Sequence, residues 1–256
     1  MLTLLSIFLA LSASPSLCDR PQPHVVHPLR PQTGFSSRPN VYAVSCLSWR
    51  LAVETDNIRN WDVVPKECEG YVGNYMLGRQ YRMDSATVAN AAIEYAKGLK
   101  VSRRDAWVFD IDETSLSNLP YYAANGFGTM PYNATSFSAW TLEGRLPVLP
   151  ETHRLYQELL RFGIKVIFLT GRAQDQTSIT VANLKRGGYH TWHKLILKGT
   201  PYSGETALLY KSTVRTKLEK SGYRIVGNIG DQWSDLLGPT PGNRTFKVPD
   251  PMYYLG

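Results

Sequence analysis

Short apolar runs alternate with helix-length segments over the second half of the chain. The runs of strand length are WVF (107–109), VIFL (166–169), LIL (195–197) and YRIVGNI (223–229). The segments with a helical pattern between them are 151–162, 174–187 and 208–221. This alternation predicts an α/β fold in which a parallel sheet carries helices on both faces. In such a fold, ligands bind beyond the carboxyl ends of the strands.

Two other stretches have patterns of their own. From about residue 47 to residue 100 the pattern is helical, and Asp84 and Ser85 are predicted to cap a helix whose apolar stripe follows them. The stretch 115–150 is rich in Gly, Pro, Asn and aromatic residues, which predicts an insertion after the first strand that forms a loop or a small cap rather than part of the sheet. Its aromatic side chains could either face a substrate or pack in the core; they are Tyr121, Tyr122, Phe127, Tyr132, Phe137 and Trp140.

The first residues have the pattern of a signal peptide. Residues 2–12 are apolar but too few to span a bilayer comfortably, and small residues follow up to Cys18. We therefore expect residues 1–18 to be removed on the secretory route and the mature protein to have no membrane attachment, the alternative being a membrane anchor. Residues 19–45 are rich in proline and predict an extended lead-in, so the folded domain is expected at 46–256.

Composition supports one globular domain and disfavours a nucleic-acid-binding role. The 256 residues are 43% hydrophobic and 19% charged, which is enough apolar material for a full core. The formal net charge is +7, but the basic residues are scattered among acidic ones and form no long basic run. No nucleic-acid partner is expected. A modestly basic surface could instead attract anionic small molecules.

Cysteines and glycosylation sequons agree with a secretory route. With Cys18 removed, Cys46 and Cys68 remain as an even pair, which predicts a disulfide in an oxidising compartment; the alternative is two buried free thiols. Closing this loop would stabilise the fold by roughly 3 kcal/mol. Asn133 and Asn243 begin Asn-X-Thr sequons and are the predicted glycosylation sites.

Polar residues follow three of the predicted strands at the point where each ends. Asp110 and Asp112 follow the first strand, Thr170 and Gly171 follow the second, and the fourth leads into Asp231 and Asp235. Any one of these signals could be an ordinary helix cap or turn. Together they predict one crevice in which several carboxylates meet.

This set of residues suits phosphate-ester cleavage. Asp110 can attack phosphorus, and Asp112 can protonate the leaving oxygen and later take a proton from water. A hard cation, for which Mg2+ is the first choice, would be held by Asp110, the Asp112 backbone carbonyl and Asp231, with Asp235 as a ligand or a neighbour of one.

The phosphoryl group would also need donors and a fixed positive charge. The Thr170 hydroxyl and nearby backbone N–H groups, at Gly171, can bind phosphoryl oxygens. The cation could be Lys198, which follows the third strand, or Lys211, in the helix after it; their positions in the sequence favour neither.

The ordered motifs VFDIDET, FLTGR, YKS and GDQWSD resemble those of the haloacid dehalogenase (HAD) superfamily. From about residue 46 to residue 254 the chain resembles the plant acid phosphatases related to vegetative storage proteins. This resemblance implies a Rossmann-like fold, a small phosphate monoester as substrate, an aspartyl-phosphate mechanism with Mg2+, and Lys211 as the substrate-binding cation. It also implies a secreted, cell-wall or vacuolar destination, activity at acidic pH and a homodimer.

The same family supplies the main alternative function. Some of its storage members have serine in place of the nucleophilic aspartate, whereas this chain has Asp110. We therefore expect a working enzyme rather than a storage glycoprotein without catalytic activity. An extracellular adhesion module is a weaker alternative, because its binding site would not need converging carboxylates.

Overall fold

A computed structural model describes residues 44–256 of the chain. The predicted signal peptide and all but the last two residues of the predicted lead-in lie outside the described residues. Within them, no helix combines the length and the apolar character that crossing a membrane requires.

The described residues form one sheet of five parallel strands. The strands are β1 (Asp105–Phe109), β2 (Lys165–Ala173), β3 (Lys194–Lys198), β4 (Arg224–Gly230) and β5 (Thr245–Lys247). Their order across the sheet is β3-β2-β1-β4-β5. The parallel sheet predicted from the sequence is confirmed. The edge strand β5 was not predicted, because three residues are too few to show a period.

Helices precede the sheet and connect its strands. They are α1 (Cys46–Glu54), α2 (Glu69–Leu77), α3 (Arg79–Lys97), α4 (Leu119–Ala124), α5 (Ala134–Leu142), α6 (Pro150–Arg161), α7 (Thr177–Arg186), α8 (Ala207–Lys220) and α9 (Trp233–Leu236). The three helices predicted between the strands correspond to α6, α7 and α8. Pro150 occupies the first turn of α6, where its fixed φ favours the helix and its missing N–H costs no bond.

Helices cover both faces of the sheet, as the alternating pattern predicts. Successive side chains of a strand point to opposite faces. Trp107 and Phe109 of β1 lie in a core cluster with residues of α3 and α6, whereas Val108 lies in a second cluster with Val214 and Leu218 of α8. The central strand is therefore buried on both sides, which explains why it reads as a continuous apolar run.

The predicted cap at Asp84 and Ser85 is wrong, because α3 begins five residues earlier, at Arg79. Both residues lie inside the helix, where the Ser85 hydroxyl donates to the Tyr81 carbonyl (2.8 Å) and Asp84 accepts from the Tyr75 hydroxyl (2.9 Å). The first turns of α3 are mostly polar, so the apolar period that guided the prediction starts only after them.

The stretch between β1 and α6 is a helical insertion that contains α4 and α5. Its two ends meet, since the Ser117 N–H donates to the Pro147 carbonyl (2.8 Å) and the Leu149 N–H to the Ser115 carbonyl (3.2 Å). Tyr122 of α4 packs in a third core cluster with residues of α1 and α2. The insertion is therefore anchored both to the sheet and to the N-terminal helices.

The predicted disulfide is present and joins α1 to the turn before α2. Cys46 and Cys68 are bonded, with their Cα atoms 5.4 Å apart. Trp49 and Val53 of α1 are buried in the same cluster as Cys68. The bond thus holds the first helix of the described residues onto the core.

Candidate active site

The three polar strand ends meet at the carboxyl edge of the sheet. Asp110 follows the central strand β1, Thr170 lies in β2 on one side of it, and Asp231 follows β4 on the other. All three residues are buried. The predicted crevice therefore exists because β2 and β4 are the two neighbours of β1.

Lys211 is the lysine that reaches this crevice. Its Nζ donates to Asp110 Oδ1 (2.8 Å) and also to Asp235 Oδ1, and its side chain is only 6% exposed. Lys198 instead donates to the backbone carbonyl of Glu205 (2.6 Å). Of the two candidate lysines, Lys211 is therefore the one that contacts Asp110, because α8 packs against the sheet; its role as the cation for a phosphoryl group stays a prediction.

Three buried carboxylates form a candidate metal site. One oxygen from each of Asp110, Asp231 and Asp235 lies within 4.8 Å of the other two. Burial and the charge of Asp235 raise the pKa of Asp110 well above its ordinary range, although Lys211 opposes this, and burial together with Asp235 raises the pKa of Asp231 to about 6. Without a further cation beside Lys211, the ionised forms of Asp110 and Asp231 are therefore disfavoured. An all-oxygen donor set with excess negative charge fits a hard divalent ion such as Mg2+.

Neighbouring side chains fix the orientation of Asp231. Its carboxylate accepts hydrogen bonds from the Thr114 hydroxyl (3.0 Å) and from Nε2 of Gln232 (2.8 Å). Gly230 is required just before it, because a Cβ at that position would overlap the Asp235 carboxylate. The backbone at the end of β4 can therefore approach the acidic residues closely.

The Asp112 side chain is not part of this group of three carboxylates and is held by other residues. Nε of Arg172 donates to its Oδ2 (3.0 Å), Nη2 of Arg172 donates to its Oδ1 (2.7 Å), and Nδ2 of Asn118 donates to the same Oδ1 (2.9 Å). Burial alone would raise the pKa of Asp112, but the charge and hydrogen bonds of Arg172 outweigh it, so this pKa lies below its ordinary value. A metal contact of Asp112 through its backbone carbonyl stays a prediction.

One of the predicted phosphate-binding residues, Gly171, borders an open cavity. Thr170 is fully buried, and its Oγ1 accepts the backbone N–H of Arg172 (3.1 Å), while Gly171 is exposed between them. A cavity of about 660 Å³ opens beside Gly171 and is also lined by Lys198 and Tyr254. Gly171 is thus the one of Thr170, Gly171 and Lys211 that lines this space, which is large enough for a small ester.

Several residues of the site escaped the sequence interpretation. Glu113 is buried with a positive φ of 52°, and its carboxylate accepts from Asn118 Nδ2 (2.8 Å) and the Tyr253 hydroxyl (3.2 Å). Asp250 is buried as well and accepts from Gln232 Nε2 (3.1 Å). The acidic run DIDET could have drawn attention to Glu113. Nothing in the sequence distinguishes Asn118 or Asp250 from other polar residues.

Both predicted glycosylation sites are exposed. Asn133 and Asn243 lie at the surface, and Asn133 Oδ1 also accepts the Ser136 N–H (3.0 Å) as the N-cap of α5. The amide nitrogen of an asparagine is the atom that carries a glycan, so this cap leaves it available. Glycosylation at the two sites stays a prediction.

A parallel α/β sheet whose central strand ends in paired aspartates, with a threonine, a lysine and further aspartates around them, defines a phosphatase of the HAD type. The family model for HAD superfamily, subfamily IIIB (acid phosphatase) matches residues 31–256, and the chain belongs to this family.

Some relatives are named acid phosphatases, and others are named stem glycoproteins or vegetative storage proteins. A stem 28 kDa glycoprotein of Glycine max is 49% identical over 231 residues, which cover 89% of this chain and 90% of that protein. Acid phosphatase 1 of Solanum lycopersicum is 47% identical over 83% of this chain and 84% of that protein. Vegetative storage protein 1 of Arabidopsis thaliana is 47% identical over 82% of this chain and 79% of that protein.

A solved structure shares the fold. The class C acid phosphatase from Bacillus anthracis superposes with a TM-score of 0.62 at 19% identity, covering 74% of this chain and 86% of that one. The α/β fold implied by the motifs is thereby confirmed, and the family match shows that it is of the HAD type.

Proposed function

We propose that this protein hydrolyses small phosphate monoesters through an aspartyl-phosphate intermediate on Asp110, with Mg2+ as the metal. The observation that carries the proposal is the buried contact of Asp110 with Lys211, in a group completed by Asp231 and Asp235. Such a concentration of charge is costly to bury unless a cation and a reaction use it. Membership of the acid phosphatase family supports the same activity.

The side chains can divide the reaction into two displacements. The Asp110 carboxylate attacks phosphorus, the bond from phosphorus to the ester oxygen breaks, and a protonated Asp112 gives its proton to that oxygen. Because Arg172, against the effect of burial, lowers the pKa of Asp112, the protein that is protonated at Asp112 is a fraction that grows as pH falls. Asp112 then takes a proton from the water that attacks the aspartyl phosphate, which releases inorganic phosphate and restores Asp110. The carboxyl of Asp112 lies on the rim of the crevice, with its side chain 18% exposed, where a leaving alcohol and water can reach it.

Binding of the phosphoryl group falls to residues at the end of β2 and to Lys211. The Thr170 hydroxyl and the Gly171 backbone N–H are the proposed donors, and Lys211 adds a fixed positive charge beside Asp110. When bound by Asp110, Asp231 and Asp235, Mg2+ would neutralise charge on the phosphoryl oxygens. The Asp112 backbone carbonyl is proposed as a further ligand of the metal.

The alternative is storage without catalysis, which the names of several relatives suggest. The aspartate at position 110, in contact with Lys211, favours an enzyme. The two roles are compatible in one abundant protein. Export on the secretory route, with an extracellular, cell-wall or vacuolar destination, and a homodimer belong to the same proposal; the glycoprotein names of relatives support the route.

The function can be tested with 4-nitrophenyl phosphate, Mg2+ and a matched pair of aspartate variants. We expect hydrolysis at acidic pH by the wild-type protein, loss of it in Asp110→Asn, and unchanged activity in Asp175→Asn, which alters an exposed aspartate after β2. Wild-type turnover at background would favour storage. Near wild-type turnover by Asp110→Asn would rule out the aspartyl-phosphate intermediate.

A further inference from the structure

The two carboxylate oxygens of Asp112 have different surroundings. Oδ1 accepts from Asn118 Nδ2 (2.9 Å) and from Arg172 Nη2 (2.7 Å), with Arg172 Nε at 3.2 Å. Among the described residues, Oδ2 accepts only from Arg172 Nε (3.0 Å). An oxygen with two close donors has little lone-pair capacity left, whereas Oδ2 retains room for a proton and for a substrate oxygen.

The orientation of the Asn118 amide follows from its partners. Its Nδ2 donates to Asp112 Oδ1 and to Glu113 Oε2 (2.8 Å), while its Oδ1 accepts from the indole Nε1 of Trp140 (2.9 Å). A flipped amide would place its oxygen against two carboxylates and its NH2 group against an N–H donor. Because Asn118 is fully buried, water cannot compensate for such a flip.

Trp140 connects this amide to the inserted helices. It lies on α5, partly buried, with its ring stacked against Tyr121 of α4 at a centroid distance of 6.5 Å. Asn118 immediately precedes α4. The hydrogen bonds therefore run from the insertion, through one amide, to a carboxylate at the end of the central strand.

We infer that Asn118 and Trp140 are positioning residues for Asp112. Trp140 orients the Asn118 amide, and Asn118 holds Oδ1 of Asp112, so that Oδ2 delivers the proton to the leaving oxygen. This inference rests on the function proposed above. As the bond between phosphorus and the ester oxygen breaks, its electron pair goes to that oxygen, which takes the proton from Oδ2. Asp112 is left as a carboxylate whose Oδ1 bonds are unchanged.

The expected signature is a dependence on the leaving group. A 4-nitrophenolate is stable enough to leave with little help from an acid, whereas an alkoxide needs the proton. General acid catalysis is typically worth about 10²- to 10⁴-fold. A misplaced acid should therefore slow alkyl phosphates far more than 4-nitrophenyl phosphate, and a general loosening of the fold should slow both alike.

The test compares kcat/KM for 4-nitrophenyl phosphate and for an alkyl phosphate such as glycerol 2-phosphate. The ratio kcat/KM reports the first displacement, which separates the acid step from the later attack of water. Trp140→Phe removes the indole N–H and keeps an aromatic ring. Trp192→Phe is the matched control, since Trp192 packs on Phe168 in the core away from Asp112.

We expect Trp140→Phe to lower kcat/KM at least about 10-fold more for the alkyl ester than for the aryl ester, a fraction of the full general-acid effect. Asn118→Asp, which is nearly isosteric and replaces a donor with an acceptor, should give the same selectivity. In an Asp112→Asn background, Trp140→Phe should have no further selective effect. Trp192→Phe should leave the ratio of the two substrates unchanged.

Equal losses on both esters in Trp140→Phe and Asn118→Asp would overturn the inference while leaving the proposed function intact. A selective loss that persists in the Asp112→Asn background would also overturn it, because the effect would not act through Asp112. A wild-type protein that hydrolyses neither ester would instead refute the proposed function.

Discussion

Replacing Lys211 with glutamine should destabilise the metal-free protein strongly. The lysine lies between Asp110 and Asp235, and all three side chains are less than a tenth exposed. At 2.8 Å and an effective dielectric constant of 20, one such ion pair is worth about 6 kcal/mol of Coulomb energy. Desolvation offsets part of this, and removing one partner of a buried pair typically costs about 3–5 kcal/mol. We expect the free energy of unfolding to fall by about that amount at pH 7.

The loss of stability caused by Lys211→Gln should be smaller at acidic pH. Burial already raises the pKa of Asp110, and removing the ammonium raises it further. A carboxyl whose pKa is higher in the folded than in the unfolded state stabilises the fold as pH falls through the folded pKa, because the folded state then binds the extra proton. The stability that Lys211→Gln loses relative to the wild-type protein should therefore be smaller at pH 5 than at pH 7.

The assay is urea unfolding followed by tryptophan fluorescence, with a chelator present, at both pH values. Lys198→Gln is the control. Because Lys198 donates a hydrogen bond to a partly buried backbone carbonyl, this substitution should lower the free energy of unfolding by less than about 1 kcal/mol. Activity should fall far more in Lys211→Gln than in Lys198→Gln. The electrostatic argument would be refuted by equal urea midpoints of the two variants at pH 7. It would also be refuted if Lys211→Gln lost more stability, relative to the wild-type protein, at pH 5 than at pH 7.

Three further outcomes follow from individual contacts. Because the pKa of Asp231 is raised to about 6 and a metal needs its carboxylate, added Mg2+ should raise the melting temperature more at pH 7 than at pH 5; an equal shift would contradict the assigned site. Although burial opposes it, the hydrogen bonds and charge of Arg224 lower the pKa of Asp105 to about 2, so the contribution of this pair to stability should be present above pH 4 and lost as pH falls toward 2. Asp105→Asn should remove this acid-sensitive part, as acid titration of unfolding would show. Replacing Cys46 and Cys68 with serine should lower the free energy of unfolding by about 3 kcal/mol, measured against the wild-type protein without reductant.

The sequence determined the fold class and the order of the motifs. Buried parallel strands must be apolar on both faces, so β1 and β2 appear as short apolar runs that any window analysis detects. Polar residues that follow such runs lie at the carboxyl edge of the sheet. The sequence alone therefore predicts that Asp110, Thr170 and Asp231 lie near each other. The start of α3 was mispredicted because its first turns carry mostly polar side chains.

Only the tertiary structure decided which of these side chains touch. Asp112 and Arg172 are sixty residues apart, and their contact depends on the pairing of β1 with β2 and on the path of the chain after each strand. The choice of Lys211 over Lys198 depends on where α8 crosses the sheet. Asn118 and Trp140 reach Asp112 through hydrogen bonds only because the insertion folds back over the strand end. Sequence periodicity reports which face of an element is buried, whereas contacts between distant elements depend on packing and rotamers, which no local pattern encodes.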